Sequence, residues 1–542
     1  MVPQYFVKLS DLPYTPNGKV DRKSLPEPNI EVKKREIILP RNNVDKLLVS
    51  ILKELLSIDN ISITDSFFEL GGDSLTAINL CAKIYSELSV QIFVKDVLEN
   101  PIIKDLSDVI SSKDLHNKNC PLKKAEIKDI YQASFAQKRI FYSTQAISAG
   151  NNVVYNVSGG LLIDSVLDVN KIVDCINKIV DNQSSFRTQF EIVDGELYQR
   201  IINHAQIKID CYNGQEKDLQ SILDKFPKPF DLAVAPLLRA SVYVLDNKKT
   251  LLLLDTHHII MDGASLNILI QDFCTLYSNN NIDKLKFEYI DYSEWEKSFV
   301  ESDEIKKYDE YWASTFANSQ ISSLNLPYDF PANSKSYEGD KISYNMPKET
   351  FAKIEELAKK HDVSAYTVFL SALYILLYKY TGQTNLIVGS PLEGRNYEEF
   401  NNIIGMFVNN IVLKNDILPE NSVDSLLNST QNIVTNAISN QPYPYELILK
   451  KLNLDKNTSL LDVVLTYQNT KKSKYNIENA DLELLYSNTK TAKFNIWLEI
   501  IPDLARFNLE YNSSLFKKET INSFLAVSYT HLRAHETLAN LV

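Results

Sequence analysis

Two adjacent histidines, His257 and His258, precede Ile259-Ile260-Met261-Asp262-Gly263, and the apolar run Leu251 to Leu254 leads into them. An imidazole changes charge near neutral pH, so a histidine at the end of a buried strand is a candidate base. Successive strand residues face opposite sides, which leaves at most one of the two for that work. The residue types also fit two ordinary strand-end histidines. A metal site would need a third ligand, and the other histidines are distant and unclustered. A second centre is Ser74, in Leu70-Gly71-Gly72-Asp73-Ser74-Leu75. The glycines allow a tight turn, and Asp73 can cap a helix that begins near Ser74. With no base nearby in sequence, this hydroxyl suits modification by another protein better than attack on a substrate. A third is Lys19, at the tip of a predicted hairpin between Val7 and Val20 that carries Pro16-Asn17-Gly18.

These centres need several domains to hold them. A chain of 542 residues exceeds one hydrophobic core, and roughly three or four globular units are expected. A formal charge of −12 without a dense Lys/Arg stripe argues against nucleic acid as a partner. Five scattered cysteines contain no Cys-x-x-Cys pair, which suggests neither zinc nor a disulfide framework and fits a reducing, cytoplasmic compartment. No apolar run reaches the length of a membrane span, and no secretion signal is seen, so no membrane partner is expected.

Apolar residues recur at helical spacing through Val44–Leu55, Leu75–Ile84 and Ile102–Ile110, with a short helix near Val94–Leu98. They predict a small helical bundle over 41–112, after a Pro-containing linker at 31–40. A polar joint at 113–125 follows. Beyond it, Leu251–Leu254 reads as a buried strand and Leu266–Leu276 as a helix face. Glu349–Lys360 and Ser364–Tyr380 read as helices, and Asn385–Ser390 as a strand.

The run Asp65 to Leu75 resembles the attachment motif of peptidyl carrier domains. That resemblance implies 4'-phosphopantetheine esterified to Ser74 by a phosphopantetheinyl transferase. The arm would be about 20 Å long and would deliver a tethered thioester at high effective concentration. Met1–Phe6 and Tyr14–Lys23 are similar to the end of an adenylation domain. Residues 1–30 would then be its remnant, Lys19 would match its catalytic lysine, and adenylation activity is expected to be absent from this polypeptide. Ser134, Ala136, Gln137 and Arg139 match the first motif of nonribosomal peptide condensation domains, and His257-His258 with Asp262-Gly263 matches their active-site motif. The fold implied is a four-helix carrier bundle followed by a V-shaped pair of α/β lobes like chloramphenicol acetyltransferase, at 126–305 and 306–525.

The same resemblance assigns roles. His258 faces the tunnel where two carrier arms meet and either takes a proton from the acceptor amine or orients it. Asp262 is structural and pairs with Arg395 of the second lobe. The N–H of Gly263 helps hold the carbonyl oxygen, and Asn409 and Arg139 border the tunnel. The expected partners are the upstream adenylation domain and the carrier domain of the next module. With no epimerisation domain in between, the donor is expected to be L-configured or achiral. Asn182-Gln183-Ser184 stands where the family carries Arg-His-Glu, a loss of charge that normally supports the fold. Residues 526–542 depart from the family pattern and resemble translated adapter read-through, so the final helix is expected to be missing and His531 and His535 are not read as ligands. The histidines argue against a cyclising domain, which carries aspartates there. An ester-forming domain and an inactive carrier or docking fragment remain as alternatives.

Overall fold

The computed structural model describes residues 37–534 except 73, 89, 91, 93, 113–121, 148–151, 318–320, 332–335, 396, 419, 455–457, 469–474 and 478–479. The N-terminal hairpin with Lys19, and Asp73, therefore lie outside the described residues.

The apolar spacing of the N-terminal region gives α1 (Asn43–Leu56), α2 (Ser74–Leu88), α3 (Val94–Glu99) and α4 (Ile103–Ser112). The α1 stripe buries Leu48, Ile51 and Leu52 against Leu106 and Ile110 of α4. Asn42 caps α1 by accepting the Asp45 N–H at 2.7 Å. The Arg41 guanidinium joins Asp45 and Asp108, each at 2.9 Å, and so ties α1 to α4. It holds the Asp45 carboxyl down at about 2.

The larger region begins with β1 (Tyr131–Gln132), α5 (Phe135–Ala146), β2 (Asn156–Ile163), α6 (Val169–Asn182), β3 (Thr188–Val193), β4 (Glu196–Ile201), β5 (Asp210–Gly214), α7 (Leu219–Lys225), β6 (Leu238–Leu245) and β7 (Thr250–His257). Helices α8 (Gly263–Tyr277), α9 (Tyr289–Glu301) and α10 (Ile305–Phe316) lead to the second lobe. There follow β8 (Gly339–Asn345), α11 (Lys348–Lys360), α12 (Ala365–Thr381), β9 (Asn385–Leu392), β10 (Asn409–Asp416), α13 (Val423–Ser439) and α14 (Tyr445–Leu452). The chain closes with β11 (Val463–Tyr467), β12 (Asn476–Ile477), β13 (Ala480–Tyr486), β14 (Ile496–Ile501), β15 (Arg506–Asn512) and α15 (Lys518–Ala534).

Two six-stranded sheets result, ordered β12-β13-β2-β7-β6-β5 and β10-β9-β11-β14-β15-β8. They share a four-strand pattern. In the first, β2, β7 and β6 are antiparallel neighbours and β5 joins β6 in parallel. In the second, β8, β15, β14 and β11 repeat those relations. The lobes therefore share topology, and the end of β7, which holds His257, corresponds to the end of β15. Every residue of β7 is buried, as its continuous apolar run requires.

Three expectations need correction. The lobe boundary at 305/306 does not hold for 476–486, because β13 crosses back and pairs antiparallel with β2 of the first lobe. The final helix is present: α15 runs to Ala534, with Ile521, Phe524 and Leu525 buried and α12 alongside. Asn182-Gln183-Ser184 keeps the lobes joined without charge. Gln183 donates to the Asn402 carbonyl at 3.0 Å and accepts from the Ile404 N–H at 2.9 Å.

Among the described residues no single helix is long and apolar enough to cross a membrane. Helices α11 and α12 together pass on composition but meet at 103°, and α12 buries Leu370, Tyr374 and Leu377 in the second-lobe core.

Candidate active site

A cavity of about 1630 Å³ lies between the lobes, lined by Arg139, His258, Gly263, Lys493 and residues of both sheets. His258 follows the last residue of β7. Its backbone N–H donates to the Tyr155 carbonyl at 2.7 Å, which fixes the turn that aims it. Its Nδ1 is buried without a partner among the described residues, which leaves Nε2 as the nitrogen open to the cavity.

His257 turns the other way, and its Nδ1 accepts the Ile259 N–H at 3.2 Å. The rings of Tyr155 and Phe230 stand 6.4 and 6.2 Å from it. The alternation of strand side chains thus puts one histidine in the cavity and one in the core. Neither keeps the near-neutral pKa expected from sequence. Burial, then the charge of Lys493, pushes His257 down to about 3 and His258 well below the ordinary imidazole value. Both are neutral at physiological pH.

Asp262 ends the turn and caps α8, accepting the Ser265 N–H at 2.8 Å and the Ser265 hydroxyl at 2.7 Å. Its second oxygen accepts the Phe407 N–H of the other lobe at 3.1 Å. Arg395 meets it at 3.1 Å, and both side chains are buried. The Arg395 guanidinium also donates to the carbonyls of Phe400 and Ile403 and to Ser265 Oγ, and it lies 4.2 Å from the Phe407 ring centroid. Asp262 is therefore the joint of the two lobes, directly below the cavity. Gly263, at the first turn of α8, faces the cavity, and a Cβ there would meet no protein atom. No packing constraint demands glycine; the room is left for whatever enters.

Arg139 of α5 pairs with Glu446 of α14 at 2.6 Å and donates to the Val408 carbonyl at 3.1 Å, a second strap across the lobes. Asn409 does not border the main cavity, contrary to expectation. Its amide donates to the Gln441 and Tyr443 carbonyls at 2.7 and 2.8 Å, and its oxygen accepts the Tyr445 N–H at 3.1 Å. The asparagine on the cavity wall is its neighbour, Asn410.

Sequence reasoning did not single out Tyr155 or Lys493. It also missed the group beneath His257, where Asp255 meets Arg239 at 2.8 Å and Asn156 at 2.9 Å. Burial pushes the Asp255 carboxyl up to about 6. The alternation within β7 could have placed Asp255 and His257 on one face.

In the helical bundle, Ser74 is the first residue of α2. Gly71 has φ of 90°, which favours glycine. A Cβ on Gly72 would fall 2.5 Å from Cζ of Phe67, so only glycine lets the turn lie on that ring. The pair thereby brings the chain tightly into the start of α2.

The site is thus one inward histidine in a cavity between two lobes of shared topology, joined at a buried Asp–Arg pair. Residues 127–537 match the Condensation domain family, and residues 46–110 match the Phosphopantetheine attachment site family. The chain belongs to the condensation-domain family, with a carrier domain ahead of it. It is 35% identical over 534 residues to bacitracin synthase 3 of Bacillus licheniformis, covering 97% of this chain and 8% of that protein; it spans less than a tenth of that relative. Its fold resembles the X-domain from teicoplanin biosynthesis, with a TM-score of 0.70 at 18% identity over 77% of this chain and 97% of that one. It also resembles the first condensation domain of the calcium-dependent antibiotic synthetase, with a TM-score of 0.64 at 14% identity over 74% and 95%.

Proposed function

We propose that this chain is the carrier and condensation part of a nonribosomal peptide synthetase, forming a peptide bond between an acyl group held on Ser74 and an amine held on the carrier domain of the next module. The observation that carries this reading is one imidazole, His258, on the wall of an inter-lobe cavity and behind a carrier domain whose Ser74 begins a helix. Phosphopantetheine on Ser74 would supply the thiol that holds the acyl group as a thioester. The double-glycine turn fits such a group, because Gly72 lies close on the Phe67 ring and Gly71 beside it is exposed, which leaves room ahead of α2.

In the cavity, His258 Nε2 accepts a hydrogen bond from the amine and fixes its lone pair toward the thioester carbonyl. Attack forms the C–N bond and breaks the C–S bond, and the amine proton leaves with the thiol. The Gly263 N–H, at the positive end of α8, faces the oxygen that gains charge. Asp262 and Arg395 act on neither reactant; they fix the His258–Gly263 turn against the second lobe. The partners are a phosphopantetheinyl transferase, an upstream adenylation domain and a downstream carrier, working in the cytoplasm on an L-configured or achiral donor.

Incubation with coenzyme A and a promiscuous phosphopantetheinyl transferase should add about 340 Da, lost in Ser74→Ala. The loaded chain should then transfer its acyl group to an aminoacyl carrier. Attachment without transfer would refute the condensation reading and leave a carrier.

A further inference from the structure

Lys493 is a charged group on the cavity wall to which the reaction above gives no task. It lies between β13 and β14, where the chain returns from the first lobe's sheet to the second. It lines the same cavity as His258 and Gly263. Its Nζ stands 5.9 Å from the Tyr155 ring, and Tyr155 is the residue whose carbonyl holds the His258 N–H.

The other cations around this chamber are matched. Arg139 is paired with Glu446, and Lys341 of β8 with Glu499 of β14 at 3.7 Å. Lys493 has no such pair among the described residues. Burial pulls the Lys493 ammonium below its ordinary value and the charge of Glu510 of β15 pulls it back up, while one Glu510 oxygen takes the Lys493 backbone N–H at 3.1 Å. Asp462 and Glu393 also line the cavity, and burial pushes both carboxyls up, toward their neutral forms. His258 also faces this space, as do Glu446 and Glu499, which are held in the pairs above, and the tyrosines Tyr155, Tyr337 and Tyr445.

An α-amine in water is largely an ammonium ion and cannot attack. It must lose a proton to solvent before or during entry, and a positive charge nearby favours that loss. We propose that Lys493 is a positioning residue for condensation, whose unpaired ammonium on the cavity wall holds the entering amine and the His258 imidazole in their uncharged forms. The proton goes to bulk water, and the free lone pair then forms the C–N bond as described. This rests on the condensation reading above.

The test is single-turnover condensation by the full chain, loaded on Ser74 and mixed with an aminoacyl carrier, across roughly pH 5.5 to 9. In Lys493→Met the acid limb should move up by about one pH unit, a ten-fold loss at low pH that shrinks as pH rises. Lys493→Arg should restore the limb toward its original position. Lys493→Gln serves if the Met variant fails to fold. An equal loss at every pH, or an unmoved limb, overturns the proposal while condensation stands. A wild-type chain that is loaded yet inactive at every pH overturns the condensation reading, and this inference falls with it.

Discussion

Breaking the inter-lobe joint at Asp262 and Arg395 gives a quantitative test. In Arg395→Met the buried carboxylate loses its only guanidinium but keeps three donors, the Ser265 N–H, the Ser265 hydroxyl and the Phe407 N–H. In Asp262→Asn the guanidinium keeps the Phe400 and Ile403 carbonyls and Ser265 Oγ, but its charge is then buried without an anion. Breaking one side of a buried pair costs about 3–5 kcal/mol, and the retained donors put Arg395→Met near the lower end. The double variant removes both charges, so its loss should fall short of the sum by at least ~1 kcal/mol. Urea unfolding followed by tryptophan fluorescence reads this directly. All three tryptophans, Trp295, Trp312 and Trp497, lie in the condensation region, so the carrier is silent. Single losses below ~1 kcal/mol, or additivity within ~0.5 kcal/mol, would refute the reasoning that this pair carries the joint.

His258→Ala should lower condensation at least ~100-fold while leaving arm attachment at Ser74 intact, checked by intact mass and single turnover. Retained full activity would remove His258 from the mechanism. His257 is held at about 3 against an ordinary value of 6.5, so the unfolded chain binds its proton first, and stability from this group is present above pH 6.5 and lost as pH falls toward 3. Asp255, Asp272 and Glu296, whose carboxyls burial pushes up to about 6, 6 and 7, act in the opposite sense. The measurable quantity is therefore the difference between wild type and His257→Gln, whose stability should fall less steeply between pH 6.5 and 4; identical slopes would count against the buried neutral ring. Gly72→Ala should destabilise the carrier by about 1–3 kcal/mol, because its Cβ meets the Phe67 ring, and thermal unfolding of the carrier region would show it.

Local chain physics made part of this protein legible. Apolar spacing placed α1, α2 and α4, and the continuous apolar run placed β7. The strand-turn-helix of β7 and α8 brings His258, Asp262 and Gly263 together, because all three sit on one short, contiguous segment. The helix face read from Leu266 to Leu276 is α8, and the Asp262 side chain caps its start. Charge counting misled at Asn182-Gln183-Ser184, since a neutral amide can span the lobes as a charged pair would, by making two hydrogen bonds at once.

The rest came from distant segments. The parity of β10 relative to the cavity decides that Asn410 faces it while Asn409 ties the 441–445 turn, and residue type cannot distinguish the two neighbours. The return of β13 to the first lobe is a pairing between strands far apart in sequence, set by the open edge of β2 rather than by any local pattern. That crossover carries Lys493 to the cavity, and burial there displaces both histidines from their ordinary titration. The sequence by itself determined the carrier helices and β7, the order of carrier and condensation regions, and the short motif that holds the candidate base. Only the tertiary structure decided which histidine is open, what charge surrounds it and which residues lock the lobes, because desolvation and pairing are properties of the packed neighbourhood and not of the chain.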